Sequence, residues 1–205
     1  MGLTREQLIS DLDRLAAISP PIARTIERVG YPEPRIRPAG YETLLRTIVG
    51  QQVSVKAAAS IWDKLSAAVG WIEDPLALSA LSFDELRAAG LSRQKVAYSQ
   101  SLASLVGDGA LSLSELPEDD EEAIARLTAV KGIGRWSAEI YLLFAEGRRD
   151  IWPAGDLAVQ VETGRIHDLA ERPTAKQARE LAEPWRPFRG AAAILMWYSY
   201  NTDVF

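Results

Sequence analysis

Apolar residues recur at the helical period along almost the whole chain. Leu8, Leu12 and Leu15 fall at i, i+4 and i+7 behind Thr4, which reads as an N-cap. In "YETLLRTIVGQQ" (41–52), Leu44, Ile48 and Gln52 share one face. In "VSVKAAASIWDKLSAAVG" (53–70), Ser54 caps, and Val55, Ala58, Trp62, Leu65 and Val69 line one side. Short helices around "DPLALSA" and "SFDELRAAG" precede a longer one from Ser92 to about Val106. Asp119 or Asp120 caps a helix ending near Thr128, and helices follow from about Asp156 to Leu169, Thr174 to Glu183 and Phe188 to Tyr200. The three prolines of "YPEPRIRP" (31–38) require an extended connection. No segment alternates apolar and polar residues over strand length, so the expected fold class is all-α.

Two stretches, Trp136 to Ala145 and Ala191 to Tyr200, are apolar nearly all round, as in helices covered on every side. Two such central helices, far apart in the chain, predict two packed helical lobes with a cleft between them. The 205 residues are enough to bury a real core, and 47% hydrophobic with 25% charged residues is an ordinary globular composition. The chain has no cysteine, which excludes disulfides, zinc–thiolate sites and cysteine-held iron–sulfur clusters. The N-terminal "MGLTREQLIS" lacks the apolar core of a signal peptide, and "AAAILMWYSY" (191–200) is too short to span a bilayer. The expectation is a soluble, cytoplasmic protein without a membrane partner. A net charge of −5 argues mildly against a large footprint on nucleic acid, but acidic residues can sit away from a ligand. The run "EDDEE" (118–122) reads as a solvated turn that supplies a helix N-terminus.

The stretch "LTAVKGIGRWSAEIYLLF" (127–144) carries the first chemical signal. Gly132 and Gly134 stand two apart, directly before a helix and just after another. Glycine at both positions lets the backbone turn sharply and approach a neighbour. The following helix then points its first N–H groups at the turn, where an anion such as phosphate fits. Lys131 and Arg135 add positive charge, and tryptophan follows at position 136, inside a stretch expected to be buried. Taken alone, G-x-G favours a plain helix–helix connection; the helices before and after it strengthen the anion-site reading.

"LTAVKGIGRWSA" resembles the hairpin of the helix-hairpin-helix DNA glycosylases, whose usual form is L-P-G-[IV]-G-x-x-[ST]-A, with Lys131 in place of the proline. Three further segments resemble the same family, in the same order. "IVGQQVS" (48–54) is similar to the segment leading to its DNA-wedging residue, and "DIWPAGDLAVQ" (150–160) to its catalytic-aspartate segment. "PWRPFRGAAAILMW" (184–197) is similar to the C-terminal helix of the 3-methyladenine DNA glycosylase II (AlkA-type) branch. The resemblance runs from about residue 40 to 200. It implies a helical lobe of 40–148 carrying the hairpin, and a second of 1–39 plus 149–205 carrying the aspartate. A β-rich N-terminal domain is not expected, because the first 40 residues show no strand pattern.

By this resemblance Asp156 is the catalytic carboxylate, stabilising positive charge on the sugar as an N-glycosidic bond breaks. In an anonymous chain it would read first as a helix N-cap. Asp150 is a weaker candidate for the catalytic role and reads first as a surface acid. The base must leave the stack to be cut, and the resemblance puts Gln52 in the gap, supported by Gln51. An aromatic pocket for the base is expected from Trp136, Trp197, Tyr141 and Trp152, although core packing is the usual role of such residues. An alkylated purine is positively charged and is drawn to aromatic faces. Relatives that also cut the backbone have a lysine where this chain has Trp136, so the resemblance implies release of the base alone.

Lys131, Gly132, Gly134 and Arg135 are the expected phosphate contacts. Arg186 and Arg189 read as contacts to the DNA backbone or the rim of the pocket and, equally, as a solvated helix start. His167, the only histidine, reads as a surface or packing residue, and no ligand cluster surrounds it, so no catalytic metal is implied. The resemblance also implies a structural monovalent cation on the backbone carbonyls of Thr128, Val130 and Ile133, and no required cofactor. The expected partner is double-stranded DNA containing damaged bases, for which a monomer suffices. The competing readings are a helix-hairpin-helix protein that binds DNA without chemistry, a helical interaction scaffold, and a glycosylase for neutral lesions such as hypoxanthine.

Overall fold

The structure is a computed structural model that describes residues 2–202. Among these residues there are twelve α-helices and no strand, which is the all-α class that the periodicity predicts. None of the helices is long and apolar enough to cross a membrane. The chain divides into two compact units. One is Pro38–Tyr141; the other joins the N-terminal segment through Arg37 to the chain from Leu142 onward.

In the second of these units, α1 (Arg5–Ile18) starts in a capping box, where Thr4 and Gln7 each satisfy the other's backbone N–H. Ser19 then separates α1 from α2 (Pro20–Val29), which opens on two prolines. Periodicity alone passes over α2; the Pro-Pro pair, suited to a helix start whose N–H groups have no intrahelical acceptor, marks it. After the extended, proline-rich segment that follows α2, the unit resumes at Leu142–Glu146 as a π-helical turn.

The other helices of this part of the chain are α10 (Leu157–Ile166), α11 (Ala175–Ala182) and α12 (Arg189–Thr202). The last is central: residues 191–196 are all buried, and α1, α2 and α10 pack on it. Its alanines at 191–193 remove bulk, which allows the neighbouring helices to come close.

The unit Pro38–Tyr141 holds α3 (Tyr41–Gly50), α4 (Val55–Val69), α5 (Pro75–Ser79), α6 (Phe83–Ala88), α7 (Arg93–Gly107), α8 (Asp120–Thr128) and α9 (Arg135–Tyr141). Leu44, Leu45, Ile48, Leu65, Leu78 and Leu102 are wholly buried, each contributing about 1.5–3 kcal/mol on burial. Ser54, Ser92 and Asp119 cap their helices, so the acidic run does supply a helix N-terminus. Two details depart from the periodicity. Val55, in the first turn of α4, is exposed although Trp62 and Leu65 on the same stripe are buried. Gln52 is not on the face of α3 at all, because the helix ends at Gly50 and Gln52 has left-handed backbone, φ 54°.

Candidate active site and nucleic-acid interface

Asp156 occupies the N-cap of α10, with extended backbone at φ −74° and ψ 132°. Its Oδ1 accepts the Val159 N–H at 3.1 Å, so the carboxylate does cap the helix. The same oxygen also accepts the indole N–H of Trp197, from α12, at 3.0 Å. A cap needs no such second donor. The approach is built by "WPAGD": Asp156 N–H donates to Pro153 at 2.9 Å, and the Gln160 amide donates to the Ala154 carbonyl at 2.8 Å. The Trp197 ring lies 5.6 Å from that of Phe144, centre to centre, with the planes tilted. Phe144, in the π-helical turn, is a neighbour that the sequence reading missed; its only signal is membership of the same apolar stretch as Trp136.

The segment leading to Asp156 is fastened to α12. Arg189 grips Asp150 with both arms of its guanidinium, Nε to Oδ1 at 2.8 Å and Nη2 to Oδ2 at 2.9 Å, and reaches Glu183 at 3.1 Å. Arg186 joins the same two acids. Two arginines and two carboxylates neutralise one another here. Asp150 is therefore no free surface acid, and Arg189, with a side chain only 10% exposed, is no solvated helix start. Gly190 allows the close approach: its N–H donates to the Arg149 carbonyl at 2.7 Å, and a Cβ there would stand 2.8 Å from that oxygen.

The four expected base-pocket aromatics have different surroundings. Trp197 is 7% exposed and bonded to Asp156, as described. Trp152 is a core residue of the same unit: its N–H donates to the Ala178 carbonyl at 3.0 Å, and its ring meets Trp185 edge-on at 5.4 Å. Tyr141, in the unit Pro38–Tyr141, is buried with its hydroxyl accepting the Gly40 N–H at 2.8 Å. Trp136, in the same unit, is 48% exposed rather than buried. It stands in the first turn of α9, and the burial of that helix begins at Ser137. His167 stacks on Trp185 at 5.7 Å as a packing residue, and burial pushes its pKa down.

The glycine turn lies between α8 and α9. Gly132 has φ 86°, and a Cβ on it would fall 2.1 Å from the Tyr98 ring, so the position requires glycine twice over. Gly134 differs: its φ is not in the left-handed region, and a Cβ would meet nothing within 4 Å. Its carbonyl accepts the Ala138 N–H at 3.0 Å, which makes it the first residue of the α9 ladder. Lys131 is exposed, and its N–H donates to Ser101 Oγ at 3.2 Å.

Arg135 is already engaged. It holds Glu121 through both terminal nitrogens, at 2.8 and 2.5 Å, and buried Glu139 through Nε at 2.8 Å. The Glu121 hydrogen bonds, more than any other contact, raise its pKa above the ordinary arginine range. It therefore ties α8 to α9 across the turn, whereas Lys131 is in no ion pair among the described residues.

Gln51 and Gln52 have distinct environments. The Gln51 amide donates to the Gly132 carbonyl at 2.8 Å, which joins the end of α3 to the glycine turn. Gln52 is exposed at the tip in its left-handed conformation, one of two non-glycine residues so placed among those described. Such backbone is strained and persists where the surroundings enforce it. A cavity of about 400 Å³ opens beside Gln51, Gln52, Gln94, Lys95 and Tyr98. Lys95, Tyr98 and Ser101 were not singled out by sequence reading; their spacing of three puts them on one face of α7.

Residues 45–187 match the family described as HhH-GPD superfamily base excision DNA repair protein. The chain is 35% identical over 167 residues to DNA-3-methyladenine glycosylase 1 of Schizosaccharomyces pombe, covering 80% of this chain and 72% of that protein. Among solved structures it resembles a DNA-3-methyladenine glycosidase of Bacillus halodurans, with TM-score 0.87 and 29% identity over 95% of this chain and 90% of that one. It also resembles the S. pombe 3-methyladenine DNA glycosylase in complex with abasic DNA, with TM-score 0.77 and 31% identity, covering 96% and 97% of the two chains.

Proposed function

Since this chain belongs to the HhH-GPD superfamily of base excision DNA repair proteins, we propose that it is a monofunctional DNA glycosylase that removes alkylated purines, such as 3-methyladenine or 7-methylguanine, and leaves an abasic site. The observation that carries this reading is the Asp156 carboxylate, held on one oxygen by both a helix N–H and the Trp197 indole, whose ring lies against that of Phe144. When the bond between sugar and base breaks, its electron pair leaves with the purine nitrogen and positive charge grows on the sugar. Asp156 stabilises that charge, and water adds at the sugar carbon and gives up a proton. Alkylation has already made the base cationic, so it departs without needing a general acid. Trp197, bonded to Asp156, offers a π face to such a base. Trp152 supports their unit from its core.

The lesion has to leave the stack before it reaches Asp156. Gln52, exposed and held in strained backbone, fills the space vacated in the duplex, and Gln51 supports it through Gly132. The helix start at Gly134 and Arg135 directs backbone N–H groups at a DNA phosphate, a contact that positions the strand without reading sequence. The open space at Gly134 suits close approach by that backbone. Carbonyls of Thr128, Val130 and Ile133 are hard, neutral oxygen donors. That of Val130 accepts the Ile133 N–H at 3.0 Å and keeps a second lone pair, and oxygens of this kind are the donors a monovalent cation would take. Bound there, such an ion would add positive charge beside the phosphate. The partner is double-stranded DNA with a damaged base, bound by a monomer.

Incubation with methylated duplex DNA tests the proposal. The expected result is chromatographic release of methylated purines, with no protein–DNA adduct trapped by borohydride, because a tryptophan stands where a Schiff-base lysine would act. DNA binding without base release would instead establish a binding module, and a strong trapped adduct would overturn the monofunctional assignment. Lys131 has its own test. Lys131→Glu should weaken binding to damaged and undamaged duplexes about equally and reduce the salt slope by roughly one unit. Unchanged affinity and slope would remove Lys131 from the interface.

A further inference from the structure

Three residues on one face of α7 are each attached to a turn that meets DNA in the reading above. The Lys95 ammonium donates to the Val49 carbonyl at 2.7 Å. Tyr98 fills the space that only a glycine at 132 leaves open. Ser101 accepts the Lys131 N–H. The bond from the Gln51 amide to Gly132 closes the circuit.

Lys95 is the unexpected member. The residue is 8% exposed, and desolvation holds its pKa below the ordinary lysine range. Burying an ammonium is unfavourable unless it is well partnered, and an apolar residue would fill the same volume without that penalty. Val49 lies in the last turn of α3, where carbonyls lack intrahelical donors and the helix dipole is negative. A buried cation at that point stabilises the end of α3, immediately before Gln51 and Gln52.

We propose that Lys95 is a positioning residue for Gln52: by clamping the C-terminal end of α3 against α7, it holds the exposed Gln52 side chain and its left-handed backbone aimed before DNA arrives. This rests on the reading of Gln52 as the residue that fills the vacated space. The gain is pre-organisation: a tip already ordered in the free protein loses less entropy when it enters the duplex.

The test compares single-turnover base release from methylated duplex and from the same strand alone, for wild type, Lys95→Met, Gln52→Ala and the double variant. A 2-aminopurine beside the lesion reports flipping. Lys95→Met should lose about ten- to a hundredfold on duplex, the scale on which small misplacements act. Its loss on single strand should be far smaller, with a reduced flipping signal. The double variant should be no slower on duplex than Gln52→Ala, because both changes act through one side chain.

Equal losses on the two substrates would make Lys95 merely structural, and no loss or additive losses would also overturn the proposal. Should Lys95→Met not fold, Lys95→Arg carries the test. Its longer, planar head keeps a charged donor but shifts the end of α3, so a smaller duplex-selective loss is expected, and absence of one overturns the proposal. Gln52→Ala tests the underlying reading separately. If that variant loses equally on both substrates while Lys95 is intact, the role of Gln52 itself fails.

Discussion

Asp156→Asn should release methylated bases about a hundred to a thousand times more slowly than wild type in a single turnover, a loss of roughly 2.7–4 kcal/mol of transition-state stabilisation. The substitution is selective because of where the hydrogen bonds fall. Both the Val159 N–H and the Trp197 indole donate to Oδ1, and an asparagine carbonyl oxygen accepts both as well. Asparagine is also an effective N-cap, so α10 keeps its start and thermal stability should change little. What disappears is the negative charge. Affinity for a stable abasic-site analogue should hold or rise slightly, since a charge repelling the phosphates is gone. A folded mutant that releases bases at the wild-type rate would reduce Asp156 to a helix cap and end the catalytic assignment.

Gly132→Ala and Gly134→Ala should separate folding from DNA contact within one short turn. At Gly132 the new methyl would stand 2.1 Å from the Tyr98 ring, on backbone at φ 86°. Left-handed strain costs about 1–3 kcal/mol. Overpacking a filled site adds about 1–3 kcal/mol. Unfolding in urea should therefore show a large loss of stability, partly recovered by adding Tyr98→Ala, which relieves the clash but not the strain. At Gly134 neither penalty applies, so stability should hold. Binding to DNA should nonetheless fall, because in the proposed reading the methyl would project where the phosphate backbone approaches. A Gly134→Ala protein that is stable and binds duplex like wild type would remove that approach from the interface.

Local rules carried much of this molecule in its sequence. The period of Leu8, Leu12 and Leu15, the caps at Thr4, Ser54, Ser92 and Asp119, and the proline-rich break at 31–38 depend on neighbours within one or two turns, so they can be read without knowing the fold. The glycine turn was equally legible as a turn, because its two glycines and flanking helices are contiguous. Exposure and charge pairing could not be read in this way. Trp136 stands in an apolar stretch yet is half exposed, because burial depends on which elements reach the first turn of α9. Arg135 looked available to phosphate until α8 brought Glu121 to it from 14 residues away. Asp150 and Arg189 looked solvated until they met across 39 residues.

The Asp156 and Trp197 pair marks the boundary most clearly. The aspartate could be located by its motif and its cap, both local. The indole that holds the same oxygen comes from 41 residues further along. Lys95 is the converse case: an ordinary helical lysine in the sequence, it becomes notable only because its ammonium is buried against the end of α3, 46 residues earlier. Secondary structure and the identity of candidate groups follow from short-range chemistry, which the order of residues states directly. Which carboxylate accepts an indole from a distant helix, which tryptophan is half exposed and which lysine is buried are set by packing between distant segments, and those the tertiary structure decided.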